Sequence, residues 1–300
     1  MAPYHHSLVR ALAWAISSPN IIDTTAQLPF PSDDEMAARF HERRTWFDAL
    51  DKNPSPLVEY VQTHGNWRVG IQFETLISFY LTHHPGYTLL ARNLQVYAEK
   101  QTLGAFDYIV RNSRGLVEHW EVAVKFYLRS TTARHWAAWL GPNRRDRLDI
   151  KVTRMRDHQL PLSDTDAGRR ALANIGVCSP PIHVAWLKGA LFTPFRHEVL
   201  VPPNSGTGQP SGIWLQRQEQ DEFVRRHPGA MWFRRDKPDW LGSSRQLRAH
   251  CLDHQSWLKQ AHSQPDFAPE MWSLMKPDGP MYQEEMRVFL VADDWSPDIS

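Results

Sequence analysis

The sequence predicts an α/β fold in which one mixed sheet is flanked by helices. Residues 70–82 show the apolar spacing of a helix, and three strand-like runs follow them with only short turns between. A second helical stretch then precedes another apolar strand. Short connections are typical of antiparallel strands, whereas a strand reached through a helix can pair in parallel. We therefore expect both strand directions in the sheet.

The elements of this sheet are placed by apolar periodicity and by turn residues. Pro85-Gly86 ends the first helix, and turn residues at 112–115 separate the second and third strands. The predicted elements are, in chain order, a helix at 70–82, strands at 88–97, 106–111 and 117–128, a helix at 144–159 and a strand at 182–192.

Three regions are expected along the chain. Residues 1–56 are Pro-punctuated and helical in character, so they predict an N-terminal helical extension. Residues 57–200 hold the predicted core. The loop-forming segment 201–212 opens a Trp-rich C-terminal region at 201–300, which either packs on the core or binds a protein partner.

The C-terminal region gives weaker predictions of secondary structure. Helices are expected at 216–226 and 243–261, and a late strand at 286–291. The six tryptophans of this region are expected to serve mostly as packing residues.

Composition excludes several classes of protein. The 300 residues include 34 Lys and Arg against 33 Asp and Glu, so any nucleic-acid-binding surface must be a local patch. Two cysteines favour a reducing compartment over a disulfide framework. No apolar run approaches the length of a membrane span, so we expect a cytoplasmic protein without membrane contact. Motifs for an ATPase, a dehydrogenase or an esterase are absent from the sequence.

The third predicted strand carries charges on one of its faces. Side chains alternate along a strand, so His119, Glu121 and Lys125 share a face, opposite Trp120 and Val122. Burying a charge is costly unless the charge is paired or binds a metal. This face therefore indicates either an ion pair or a metal site.

Asp107 on the second strand strengthens the metal hypothesis. A hairpin at 112–115 would bring Asp107 beside Glu121, and two such carboxylates repel unless a divalent cation joins them. Mg²⁺ or Mn²⁺ bound there would activate water for hydrolysis, and Lys125 would orient that water. Gln95 and His119 are candidates to support the site. A simple ion pair between Glu121 and Lys125 explains the same pattern without a metal.

Several segments resemble a known bacterial family, called domain of unknown function eighteen fifty-three. That family is uncharacterised and is associated with the PD-(D/E)XK nuclease superfamily. The likeness covers most of the chain, with its most specific motifs between about 68 and 160. The segments that carry it are Phe73-Glu74, Asn93–Val96, Thr102–Asp107, His119–Tyr127 and Trp139–Asp146.

The resemblance implies a restriction-endonuclease-like core and a role for residues outside the strands. It implies that Glu74 joins Asp107 and Glu121 at the metal. It also implies that the second helix faces the backbone of DNA or RNA, where basic side chains bind phosphates. The basic residues of that helix are Arg144, Arg147, Lys151 and Arg154. The alternative is a solvated face diluted by neighbouring acids.

The sequence departs from the superfamily pattern at one position. The expected lysine position, two residues after Glu121, is Ala123. Lys125 shares its face but lies roughly 7 Å further along the strand. The first hypothesis is a metal-dependent nuclease that cleaves phosphodiester bonds; the second is a nucleic-acid-binding or scaffold protein that has lost efficient cleavage.

Overall fold

The computed structural model describes residues 4–99, 101–205, 208, 210–262 and 268–295 of the chain. They form a mixed α/β structure around one ten-stranded sheet, which confirms the predicted class. In the described residues the strands are β1 (Tyr87–Ala98), β2 (Gln101–Asn112), β3 (Val117–Arg129), β4 (Trp139–Leu140), β5 (Ile182–Pro194), β6 (Ser211–Gln216), β7 (Met231–Arg235), β8 (Arg245–Leu247), β9 (Glu270–Asp278) and β10 (Met281–Val291). The α-helices are α1 (Ser7–Ser17), α2 (Asp33–His41), α3 (Arg44–Lys52), α4 (Ser55–His64), α5 (Val69–His83), α6 (Leu148–Arg154), α7 (Asp166–Ala173), α8 (Gln220–Arg226) and α9 (His254–His262).

The sheet combines an antiparallel meander with a run of parallel strands. Its order is β1-β2-β3-β5-β6-β10-β9-β7, with β4 paired to β3 and β8 paired to β10. Strands β1, β2 and β3 are antiparallel neighbours, as their short connections predict. The chain then passes through α6 and α7, and β5 pairs in parallel with β3. Both predicted strand relationships are therefore confirmed.

Helix α5 is fixed to the sheet at the turn that carries Glu74. Its apolar side chains, including Phe73 and Leu76, are buried in the core, as the periodicity of residues 70–82 predicts. The hydroxyl of Tyr108 on β2 donates a 2.5 Å hydrogen bond to the backbone carbonyl of Glu74. This bond joins the helix to the strand next to Asp107.

Strands β3 and β5 approach each other closely at Gly189. This residue has a φ of +147° and pairs with Lys125. A Cβ atom there would lie 1.6 Å from the carbonyl oxygen of Lys125. Only glycine fits this position, and it lets β5 support the charged part of β3.

The crossover helix differs from its prediction at both ends. The sequence indicates residues 144–159, but α6 begins at Leu148 and widens into a π-helical turn at Met155–Gln159. Arg144 has a φ of +59°, which is incompatible with a right-handed helix, and Arg147 also precedes α6. The predicted stripe of basic residues on one helical face is therefore wrong.

The C-terminal predictions are right in part. Strand β8 and a short 3-10 turn occupy the first part of the predicted helix at 243–261, because this segment pairs with β10 instead. The helix predicted at 216–226 begins at Gln220, and the late strand begins before residue 286. Residues 206, 207 and 209 of the predicted boundary loop lie outside the described residues.

Residues of all three predicted regions contribute to one core. A single cluster of buried side chains contains Trp14, Trp120 and Phe289, and the C-terminal strands continue the central sheet. The six C-terminal tryptophans are all buried, which confirms their packing role and removes them as an exposed docking surface: Trp214, Trp232, Trp240, Trp257, Trp272 and Trp295. Among the described helices, none combines the length and the apolarity needed to cross a membrane.

Candidate functional site

Asp107 and Glu121 lie on neighbouring antiparallel strands, with their carboxyl groups close enough to interact electrostatically. Strands β2 and β3 form the predicted hairpin, in which Tyr108 pairs with Trp120. Oδ2 of Asp107 accepts a 2.9 Å hydrogen bond from the backbone N–H of Val122. The two carboxyl groups lie close enough for each to affect the pKa of the other.

Burial changes the protonation of this carboxyl pair. Removal from water raises the pKa of Asp107 to about 7, and the negative charge of Glu121 adds to the effect. Removal from water also raises the pKa of Glu121 to about 7, against the opposing positive charge of Lys151. Because the groups titrate as a pair, they retain a proton near neutral pH that a bound cation would displace.

Two side chains orient the carboxyl group of Glu121. Nε2 of the buried His119 lies 3.0 Å from Oε1, and burial lowers the pKa of His119 to about 4, so its ring is neutral. The side-chain amide of Gln159 donates a 2.6 Å hydrogen bond to Oε2. The predicted place of His119 beside Glu121 is thus observed. Gln95 is exposed, and its amide hydrogen-bonds to Asn93.

Lys151 of α6 lies beside the carboxyl pair. Its Nζ donates a 2.8 Å hydrogen bond to the side-chain oxygen of Gln159. Burial lowers the pKa of Lys151, whereas the negative charges of Glu121 and Asp107 raise it. The ammonium group therefore offsets the negative charge of the pair.

Lys125 is held in a different ion pair from the one expected. Its Nζ lies 2.5 Å from Oδ2 of Asp146, so the expected ion pair with Glu121 is replaced by one with Asp146. Asp146 also accepts a 2.9 Å hydrogen bond from the backbone N–H of Arg147. Both partners of the ion pair are about one third exposed, at 32% and 36%, so this pair lies at the rim of the site.

Asp107, Lys151, Gln159 and Lys125 line a cavity of about 340 Å³, which we call the carboxylate cavity, whereas Glu121 is fully buried and is not among its lining residues. Gly70 and Glu74 of α5 form one wall, and Lys151 and Arg154 form another. Burial raises the pKa of Glu74 to about 7, and the negative charge of Asp107 raises it further. Glu74 therefore belongs to the same electrostatic site as the carboxyl pair.

The carboxyl groups of the site fit Mg²⁺ bound by two carboxylates rather than by three. Across the described part of the chain, no three or more His, Cys, Asp or Glu side chains are grouped closely enough to hold a metal ion. Glu74, Asp107 and Glu121 are therefore not assembled as three direct ligands. Mg²⁺ needs only one or two carboxylates, completed by water and phosphate oxygens. Asp107 and Glu121 meet that requirement once the proton that the pair retains near neutral pH is displaced.

The remaining predicted phosphate-binding residues are separated by the late start of α6. Arg154 lines the carboxylate cavity. Arg147 forms an ion pair with Asp149, at 2.6 Å between Nε and Oδ1. Arg144 donates a 3.2 Å hydrogen bond to the backbone carbonyl of Trp295. The last two arginines are therefore engaged within the protein.

A family model matches nearly the whole chain. The domain of unknown function DUF1853 covers residues 10–291. The chain belongs to the DUF1853 family. This confirms the family that the sequence motifs resemble. No curated protein and no solved structure matches this DUF1853 chain, so its activity is argued from the site itself.

Three residues take roles that the sequence does not predict. Gln159 reaches Glu121 from the π-helical turn, which apolar periodicity does not reveal. Asp146 appears in sequence only as an acid among basic residues. Lys151 is predicted as a phosphate contact, yet it lies beside the carboxyl pair. In the sequence, the three-residue spacing between Lys151 and Arg154 is the one feature that predicts that these two side chains share a helical face.

Proposed function

We propose that this DUF1853 protein is a metal-dependent nuclease of the PD-(D/E)XK type that hydrolyses phosphodiester bonds in DNA or RNA. The observation that carries the proposal is the proximity of Asp107 to the buried Glu121 on the neighbouring strand, with Lys151 beside them. The order of helix, antiparallel meander, crossover helix and parallel strand agrees with a restriction-endonuclease-like core.

Each side chain of the site then has a distinct task. Asp107 and Glu121 would hold Mg²⁺ or Mn²⁺, which would supply an activated water and neutralise negative charge at phosphorus. His119 and Gln159 keep the carboxylate of Glu121 in one orientation. Glu74 contributes negative charge to the cavity wall and favours cation binding without direct ligation.

We assign the lysine of this chemistry to Lys151 rather than to Lys125. The ammonium of Lys151 lies inside the cavity, where reduced solvation strengthens its attraction to the charge that develops on a phosphate oxygen. Lys125 is neutralised by Asp146 at the rim. The lysine is thus supplied by the crossover helix, which explains how Ala123 can occupy the usual lysine position.

A nucleic-acid-binding or scaffold protein without cleavage is the second candidate. The engagement of both Glu121 oxygens, one by His119 and the other by Gln159, favours it. In that case the cavity binds a phosphate through Lys151 and Arg154 without hydrolysing it.

Cleavage assays with matched lysine variants separate the two candidates. Labelled single- and double-stranded DNA and RNA are incubated with Mg²⁺ or Mn²⁺ under single-turnover conditions. We expect cation-dependent cleavage that falls about 10²- to 10³-fold in Asp107→Asn and in Lys151→Met. Lys125→Met is the matched control and retains most activity. Equal cleavage by wild type and Asp107→Asn would refute the nuclease, and binding without cleavage would support the second candidate.

A further inference from the structure

Trp67 is an exposed tryptophan with cations against its ring. Its side chain is 62% exposed, and the other tryptophans of the chain, all in described residues, are buried or half-buried. The guanidinium carbon of Arg68 lies 5.6 Å from the ring centroid, and Nζ of Lys237 lies 5.0 Å from it. An exposed aromatic ring with two cations beside it is suited to a partner that has both flat rings and negative charges.

The two cations are free to meet such a partner. Arg68 and Lys237 are exposed, and within the described residues neither forms an ion pair with a carboxylate. Asp236 and Asp239 flank Lys237 in sequence without pairing with it. The positive charge beside Trp67 is therefore not neutralised by the protein.

Trp67 lies three residues before Gly70, which lines the carboxylate cavity. The helix α5 begins two residues after Trp67, at Val69, and Gly70 lies in the first turn of that helix. The first turn has no side-chain cap and no acidic residue, so its N–H groups can receive a phosphate. A Cβ atom at Gly70 would meet no other atom within 4 Å, so the cavity is open at this wall.

The groove continues beyond the carboxyl pair on the other side. A second cavity of about 660 Å³ shares Ile150, Arg154 and Gln159 with the carboxylate cavity. It extends past His158 to the exposed side chain of Leu103. Its lining, which also includes Asp149, thus offers apolar side chains to bases and the guanidinium group of Arg154 to a phosphate.

We propose that this surface, from Trp67 through the carboxylate cavity to the second cavity, binds single-stranded nucleic acid, with one base stacked on Trp67. The phosphates next to the stacked base bind Arg68 and Lys237. The phosphates beyond the carboxyl pair bind Arg154. The base of a duplex is enclosed by its neighbours and cannot stack on a protein ring without leaving the helix. Only the position of the cleaved phosphate rests on the proposed nuclease function.

Binding measured without metal tests the proposal independently of cleavage. Fluorescence anisotropy is recorded for labelled single-stranded DNA and RNA and for the matching duplex, in EDTA. We expect Trp67→Ala to weaken single-strand binding about 5- to 100-fold, because base stacking on an aromatic ring is lost, and Trp67→Phe to retain much of it. Arg68→Gln and Lys237→Gln should each make the slope of log K against log salt concentration shallower by about one, as expected for the loss of one phosphate contact.

Tyr97→Ala is the matched control, because this ring is similarly exposed, at 57%, and no cation lies over it within the described residues. It should bind like the wild type. Four results would each overturn the proposal. They are wild-type affinity in Trp67→Ala, an equal loss of affinity in Tyr97→Ala, binding of the duplex alone, and no binding of nucleic acid. A Trp67-dependent strand that is bound but never cleaved would support it and refute only the nuclease.

Discussion

Gln159 donates a 2.6 Å hydrogen bond to Oε2 of Glu121, joining the crossover helix to the third strand. The same amide accepts a 2.8 Å hydrogen bond from Lys151 through its oxygen. The uncharged side chain of Gln159 therefore lies between the carboxyl group of Glu121 and the ammonium group of Lys151. The position of the π-helical turn thus decides how the two charged groups meet.

Changing Gln159 should alter stability and cation binding together. Gln159→Leu removes the hydrogen bonds that the half-buried amide makes to Glu121 and Lys151, which should cost about 1–3 kcal/mol of unfolding free energy, measured by urea denaturation. Gln159→Glu faces Glu121 with a second carboxylate, so it should be destabilised in EDTA. Mg²⁺ should then raise the Tm of Gln159→Glu more than that of the wild type. A Tm for Gln159→Glu that is equal with and without Mg²⁺ would count against cation binding here.

Asp107→Asn should stabilise the protein at neutral pH in the absence of metal. The pKa of Asp107 is raised from 3.8 to about 7, so this group favours folding below about pH 4 and loses that contribution as pH rises to 7. Asparagine keeps an oxygen to accept the N–H of Val122 but carries no charge. We expect a gain on the order of 2 kcal/mol at pH 7.5 in EDTA, and none at pH 4. Equal differences at both pH values in urea denaturation would show that charge is not the cause.

Lys188→Met should remove a pH dependence that lies outside the candidate site. Lys188 is fully buried, hydrogen-bonds to the backbone carbonyl of Ser18 and lies 5.2 Å from the ring of Trp186. Burial lowers its pKa from 10.5 to about 7, so wild-type stability should rise between pH 7 and 10.5 as the unfolded chain alone keeps the proton. We expect Lys188→Met to be more stable by about 3 kcal/mol at pH 6 and nearly equal to the wild type near pH 10.5. Parallel stability curves would contradict this assignment.

Gly189→Ala should disrupt the pairing of β3 with β5. The added methyl group would lie 1.6 Å from the carbonyl oxygen of Lys125, so the strands must separate. We expect a loss of more than about 3 kcal/mol, or failure to fold, seen by thermal unfolding. Gly115→Ala is the control, because Gly115 also has a positive φ, of +78°, but a Cβ there meets no atom within 4 Å. Its cost should be only about 1 kcal/mol. Similar losses for the two variants would show that backbone strain, rather than the clash, dominates.

Much of the central sheet follows from local sequence. The alternation in residues 117–128 predicts β3 almost to its observed end, and the turn at 112–115 predicts the hairpin that brings Asp107 to Glu121. The spacing in 70–82 likewise predicts α5. In each case the information lies within one element or one tight turn, where residue spacing determines geometry directly.

The arrangement of cations around that carboxyl pair depends on contacts between elements. Sequence alone predicted the acids, the hairpin and the family, but it placed the lysine at Lys125 and four basic residues on one helical face. The tertiary structure places Lys151 beside Glu121, pairs Lys125 with Asp146 and leaves Arg144 before the helix. Periodicity specifies which residues share a face of one element. Which faces meet is decided by where α6 begins, how its last turn widens and how it packs on the sheet, because these depend on contacts between residues distant in sequence.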